Sequence, residues 1–185
     1  MELNGERLIP ASVGTTWAAL NDPETLKACI AGCESLERTD DGFAALVAVK
    51  VGPVSARFKG KLQLANVQAP NRYTIHFDGQ GGVAGFGKGS ADVSLAPEGA
   101  GTRLSYAARA QVGGKMAQVG SRLIDAAAGK ITDDFFKAFE AHVTAAEAGV
   151  AAEAAAAAPP AAPNRALWWA VGAAVALAAI WYFTR

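Results

Sequence analysis

The sequence predicts an α+β fold, a curved antiparallel sheet wrapped around one long helix. Three observations carry this. Between Gly42 and Val112 apolar and polar residues alternate in short runs separated by turn signals, the mark of antiparallel strands joined by tight connections. From Val119 to Val143 apolar residues recur every four positions, at Val119, Leu123, Ala127, Ile131, Phe135, Phe139 and Val143, which is a helical spacing. The order strand, two short helices, about six strands, long helix leaves two apolar faces, and a sheet curved round the helix buries both.

Taken in order, Glu2 to Ile9 reads as a short strand. Ser12 is a helix N-cap for a segment ending at Leu20, with Trp17 and Leu20 on its buried side. Asn21-Asp22-Pro23 breaks that helix, and Pro23 opens a second one reaching Ile30. Asp40-Asp41-Gly42 turns the chain into Phe43 to Val51, and Gly52-Pro53 turns it again. In Ser55 to Ala65, Phe58, Gly60, Leu62 and Leu64 share one face and Arg57, Lys59, Lys61 and Gln63 the other. Pro70-Asn71 leads into Tyr73 to Phe77. Ala91, Val93 and Leu95 precede a turn at Pro97 to Gly101, and Leu104 to Val112 alternates as the last strand. The helix follows, with Arg122, Asp125, Lys130, Asp133, Lys137 and Glu140 on its other sides.

The domain ends near Val143. Residues 144–165 are alanine-rich, 12 of 22, with Pro159, Pro160 and Pro163, and read as a linker, helical at most in its first half. Residues 166–183, ALWWAVGAAVALAAIWYF, contain no charge. At ~1.5 Å per residue they span roughly 27 Å, enough for a hydrocarbon core. Trp168 and Trp169 at one end and Trp181 and Tyr182 at the other are spaced as two headgroup-level belts. A buried C-terminal helix would leave both belts and the linker unexplained, so the segment is expected to be a single-pass C-terminal membrane anchor. Met1 to Ile9 carries Glu2, Glu6 and Arg7 and no apolar run, so no secretory signal is read there and the domain is expected on the cytoplasmic side of a bacterial inner membrane.

Composition narrows the function classes. Seventeen basic residues balance seventeen acidic ones, which argues against a nucleic-acid partner. Of the 185 residues 43 are alanine, so the large-side-chain core is smaller than the 51% hydrophobic content suggests. Cys29 and Cys33, separated by three residues, lack further ligands nearby, and His76 and His142 lie far off in sequence; no metal site is expected. His76 alternates outward between Ile75 and Phe77, and no nucleophile with a matching acid accompanies it, so no catalytic residue is assigned. GQGGVAGFGKG, Gly79 to Gly89, has phosphate-loop spacing as far as Lys88, but Gly89 follows instead of Ser or Thr, and a strand follows instead of a helix. It reads as a glycine-rich hairpin tip, a flap or partner contact at Gly82, Gly85, Phe86 and Gly87. Arg57, Lys59 and Lys61 form a basic stripe that can dock an acidic protein surface or lipid headgroups.

WAALNDPETLKACIAGCESLE, VGPVSARFKGKLQL, the Gly-rich stretch from Asp78 to Ser90, GTRLSYAARAQVGGKMAQVGSRLI and Phe135-Phe136 together resemble the G-subunit family of carbon monoxide dehydrogenase over residues 1 to about 143. Ala31 departs from the proline expected in the turn after the second helix. The resemblance implies the helix-grip fold of START-type domains, in which the sheet curves away from the long helix and leaves a cavity. On that reading Phe58, Leu62, Tyr106, Ala108, Met116, Val119, Leu123, Ala127, Ile131 and Phe135 are the candidate lining, with alanines and glycines leaving room for an apolar ligand. It further implies a non-enzymatic accessory protein. It would recruit a molybdenum carbon monoxide dehydrogenase or related hydroxylase to the membrane. It has no intrinsic cofactor, and a respiratory quinone, menaquinone or ubiquinone, is the natural guest. A stand-alone lipid-transfer protein and a cyclase- or hydrolase-type enzyme on the same fold are the competing classes.

Overall fold

The sheet runs β1-β7-β6-β5-β4-β3-β2, antiparallel throughout. Its strands are β1 (Glu2–Ile9), β2 (Cys33–Thr39), β3 (Gly42–Val51), β4 (Val54–Gln68), β5 (Arg72–Gln80), β6 (Phe86–Glu98) and β7 (Gly101–Gly113). Successive strands from β2 to β7 are neighbours, as tight turns require. β1 lies beside β7 at the far edge, so the connection through α1 (Val13–Leu20) and α2 (Pro23–Cys29) carries the chain from one edge to the other. Short 3-10 turns occupy Gly82–Ala84 and Gly114–Val119, and α3 (Ser121–Ala157) follows. The computed structural model describes the backbone of residues 1–157 and the side chains of residues 1–149. The expected anchor at residues 166–183, with Trp168, Trp169, Trp181 and Tyr182, lies outside the described residues, as does the second half of the linker. Among the described residues no helix is long and apolar enough to cross a membrane.

The helix starts are capped as read. Ser12 Oγ accepts from the Thr15 N–H at 3.1 Å and Asp22 Oδ2 from the Thr25 N–H at 2.8 Å, each satisfying a donor the first turn leaves open. Glu147 Oε1 accepts from the Ser12 N–H at 2.8 Å, tying α3 to the start of α1.

The core sits where α3 crosses the concave side of the sheet. Phe139 and Val143 are fully buried and Phe136 nearly so, against Ile9, Leu20, Cys29, Leu95 and Leu104. Among the described residues the buried core lies entirely between Ile9 and Val143, and Met1–Ala148 forms one compact unit. Residues 1–148 therefore carry a complete core of their own and are expected to fold alone.

The four-residue stripe on α3 is corrected by the structure. Leu123 is 49% exposed and Ile131 41%, Ala127 is half-buried, and Val119 precedes the helix in a 3-10 turn. At ~100° per residue, a strict four-residue repeat advances about 40° per step and winds round the helix. Leu123 thus lies about 160° from Phe139. The buried face follows Phe136, Phe139 and Val143, spaced three and four apart.

Two ends of the domain differ. One rim gathers the Gly52-Pro53 turn, the Gly82–Ala84 tip, the Gly114–Val119 segment and the start of α3. The other gathers the turns at Asp40-Asp41, Pro70-Asn71 and Gly99-Ala100 with the start of α1. At the first rim the Gly85 and Gly114 backbones touch: a Cβ on Gly85 (φ 112°) would lie 1.9 Å from the Gly113 carbonyl oxygen, and one on Gly114 2.5 Å from Gly85 Cα. Only glycine fits such a crossing.

Candidate ligand cavity

Strand register builds one wall of a cavity. Tyr106 on β7 faces Val93 on β6, which faces Tyr73 on β5; beside this row Leu64 on β4 faces Ile75, and Leu62 faces Phe43 on β3. All point to the concave side because they share the period-two parity of their strands. α3 closes the space with Phe135 and Phe136. Phe136 stacks on Tyr106 with centroids 5.4 Å apart and meets Phe135 edge-on at 5.3 Å. Arg7 lies over the outer side of Phe136 and pairs with Asp133, fixing this part of the helix to β1. Leu20, Leu26 and Ile30 from α1, α2 and the α2 cap, with Leu36 from β2 and Leu104 from β7, complete an enclosure of ≈220 Å³.

The walls are aliphatic or aromatic, and the only side-chain polar groups in them belong to Tyr73 and Tyr106. Burial pushes the Tyr73 phenol well above its ordinary pKa, so it stays protonated and can donate a hydrogen bond. Gly5, opposite Tyr106 in register, leaves the space its ring occupies: a Cβ there would sit 2.5 Å from the Tyr106 hydroxyl. That contact carries the Tyr106 hydroxyl over β1, so Tyr73 is the phenol left to the chamber, which suits a flat, lipophilic molecule bearing a carbonyl or hydroxyl group. At ≈220 Å³ it lies below the ~300–1,000 Å³ of typical ligand pockets, so it holds a ring-sized head and not a long tail.

α2, one side of the chamber, is fastened to α3. Thr25 Oγ1 donates to Asp22 Oδ2 at 2.6 Å and has no second hydrogen, so it accepts from His142 Nε2–H at 3.0 Å. Those bonds from the Thr25 hydroxyl and N–H hold the Asp22 carboxyl below the ordinary range, with a small further contribution from His142.

Of the sequence-derived lining, the structure brings Leu62, Tyr106 and Phe135 to the cavity. It places the other seven elsewhere. Phe58 turns its ring under Gly81, whose Cβ would meet it at 2.6 Å. Met116 is buried in the 3-10 segment that also holds Val119, and Leu123, Ala127 and Ile131 lie off the cavity because the four-residue repeat winds round the helix. Ala108 stands on the concave face beyond the chamber, paired with Ala91 and Leu3. The α1–α2 contribution, Leu20, Leu26 and Ile30, has no counterpart in the sequence-derived lining.

The remaining candidates lie on the outside. Arg57, Lys59 and Lys61 project from the convex face; Arg57 pairs with Glu34 at 2.7 Å, and Lys61 stands opposite Asp78. His76 is exposed on that face, where a broader, open hollow of ≈590 Å³ is lined by Glu2, Asp78, Lys88 and Arg109 among others. Its mixed charges offer no apolar enclosure, so the smaller chamber is the better ligand site. Gly82 opens the 3-10 tip and Gly85 follows it, and Phe86 and Gly87 begin β6. Cys29 is buried and Cys33 half-buried, both free, and burial pushes both thiols up in pKa. Among the described residues no three potential metal ligands cluster.

Comparison with known proteins agrees with this architecture. The family described as the G subunit of carbon monoxide dehydrogenase (CoxG) matches residues 5–144, and the chain belongs to it. A conserved protein from Geobacillus kaustophilus is 29% identical, with TM-score 0.73, 78% of this chain and 95% of that one being covered. A Thermus thermophilus protein is 21% identical (TM-score 0.61; 79% and 99% covered), and a Mycobacterium smegmatis protein 16% identical (TM-score 0.59; 78% and 92% covered). These last two likenesses concern the fold alone. No curated protein matches the sequence.

Proposed function

We propose that this member of the CoxG family is a non-catalytic accessory protein. In this reading it is held at the cytoplasmic face of the inner membrane by residues 166–183. There it recruits a molybdenum carbon monoxide dehydrogenase-type enzyme and carries a respiratory quinone head in the chamber between sheet and α3. The observation that supports it best is the apolar ≈220 Å³ cavity with the buried Tyr73 phenol in its wall as a polar handle. A quinone ring is flat and apolar with two carbonyl acceptors, so a protonated phenol can orient it. The tether raises the effective concentration of a weakly bound enzyme near its electron acceptor without requiring tight affinity.

Trp17 supplies the test. It is the only tryptophan in residues 1–148 and stands edge-on to Tyr73, centroids 5.3 Å apart. Titrating residues 1–148 with a short-chain ubiquinone or menaquinone analogue is expected to quench its fluorescence saturably, and Tyr73→Phe to weaken binding. Affinity capture of the full chain from gently solubilised membranes is expected to bring down a molybdenum flavoenzyme. Quenching without such a partner would favour a stand-alone lipid carrier.

A further inference from the structure

The rim that carries the Gly82–Ala84 tip presents a combination the rest of the described surface lacks. Val83, at its apex, is 87% exposed, the highest value among the large apolar residues described, and Phe86 beside it is 37% exposed. Leu123, 49% exposed, approaches the neighbouring Gly52 turn, where a Cβ would meet Leu123 Cδ1 at 3.6 Å. Around them stand Lys50, Lys88, Lys115 and Arg122, all exposed and none in an ion pair among the described residues. Lys88 Nζ lies 5.8 Å from the Phe86 ring centroid. The nearby acids are Asp125 on the first turns of α3 and Asp78, opposite Lys88 in register. The opposite rim is mixed in charge: Asp22, Glu24, Asp40, Asp41 and Glu98 stand there with Arg38, Arg72 and Arg103, the last paired with Glu98. A neutral chain is thus folded into a domain with one basic, apolar-tipped end.

We infer that the Val83–Phe86 tip inserts into the headgroup layer of an anionic lipid bilayer, with Lys50, Lys88, Lys115 and Arg122 on the lipid phosphates. Apolar side chains at an apex ringed by cations are what a bilayer interface rewards: the tip leaves water while the charges stay at the phosphate level. An acidic protein surface would match the cations but would leave Val83, with no enclosing pocket of its own, without use. The tip is also braced for insertion. The Gly85–Gly114 backbone contact and the Phe58 ring under Gly81 hold it from below, so little is ordered on docking. The inference rests on the reading that the protein works at a membrane, but it adds a second contact, independent of residues 166–183.

The test uses residues 1–148 in co-sedimentation with vesicles of phosphatidylcholine alone and with phosphatidylglycerol added. Each cation near an anionic surface contributes roughly fivefold in partitioning. The domain is therefore expected to bind the anionic vesicles at least tenfold better than the neutral ones. Val83→Asp, at a position so exposed that folding is untouched, is expected to lower that binding tenfold or more. Lys88→Glu with Lys115→Glu is expected to abolish the preference for anionic lipid. Val67→Asp, a 51% exposed position at the opposite rim, is expected to change nothing. Absence of vesicle binding, or equal loss with Val67→Asp and Val83→Asp, overturns the inference. So does loss of enzyme capture by Val83→Asp in a domain that ignores lipid, which would make the tip a protein contact. If the full chain still fractionates with membranes and Trp17 is still quenched, the failure touches the tip alone.

Discussion

Val93→Phe tests whether the chamber is a true void. Val93 stands between Tyr73 and Tyr106 in register and lines the ≈220 Å³ space. At about 24 cal/mol per Å³, an empty apolar void of ≈220 Å³ represents about 5 kcal/mol of packing forgone. Phenylalanine adds four bonded carbon atoms, on the order of 50 Å³, less than half of what four free water molecules at ~30 Å³ each would take. Filling that much would return at most about 1.2 kcal/mol, less roughly 0.5–1.5 kcal/mol for a side chain held off its preferred rotamer. The net is close to zero, a Tm change within about 3 °C for a domain of this size. The assay is thermal melting of residues 1–148 followed by quinone titration on Trp17. The expected pair of results is an unchanged or raised Tm and lost quenching. A Tm lowered as overpacking requires, about 1–3 kcal/mol, would refute the argument, because the space would then already be filled by its walls.

Three further outcomes follow from the geometry. Phe139→Ala removes a ring with no exposure and is expected to cost about 3–5 kcal/mol in urea unfolding, whereas Leu123→Ala should cost below about 1 kcal/mol. The Asp22 carboxyl, held below its ordinary value of 3.8 chiefly by the Thr25 hydroxyl and then the Thr25 N–H, contributes stability that is present above that value. It is lost as pH falls through the lower, folded-state one. Asp22→Ala should therefore cost about 0.5–2 kcal/mol at pH 7 and shrink the mutant-to-parent difference in acid, read by denaturation at pH 7 and pH 3. Truncation after Ala148 should leave a folded domain, because among the described residues no core residue lies beyond Val143. Its tight membrane association should be lost and only salt-sensitive binding remain, read by fractionation before and after a high-salt wash.

Much of the fold was legible because strands declare themselves locally. The parity of Phe58, Gly60, Leu62 and Leu64, the turns at Gly52-Pro53 and Pro70-Asn71, and the caps at Ser12 and Asp22 depend on near neighbours in the chain. The helix face was not, because alanines at positions 126–128 and 138 let several stripes be drawn, and the four-residue one winds off the core. The cavity was half legible. Leu62 and Tyr106 followed from strand parity, and Phe135 from the four-residue stripe where it crosses the buried face. Leu20, Leu26 and Ile30 did not, since α1 and α2 are too short for their pattern to say which element they will face; that is decided by the edge-to-edge crossover. Tyr73 shares strand parity with Ile75 and Phe77, but its contact with Trp17 joins residues far apart in sequence.

The uneven grip of α3 sets a gradient of opening energies along the molecule. Phe136, Phe139 and Val143 clamp the lower half of the helix, while Leu123 and Ile131 leave the upper half with little to hold it. Local opening is cheapest where few apolar contacts must be broken. The turns of α3 before Phe135 can therefore lift while the clamp stays closed, and amide exchange should be faster in residues 121–131 than in residues 135–143. A guest would then enter from the side of the Val83 tip, through a breathing helix end, without the domain ever unfolding.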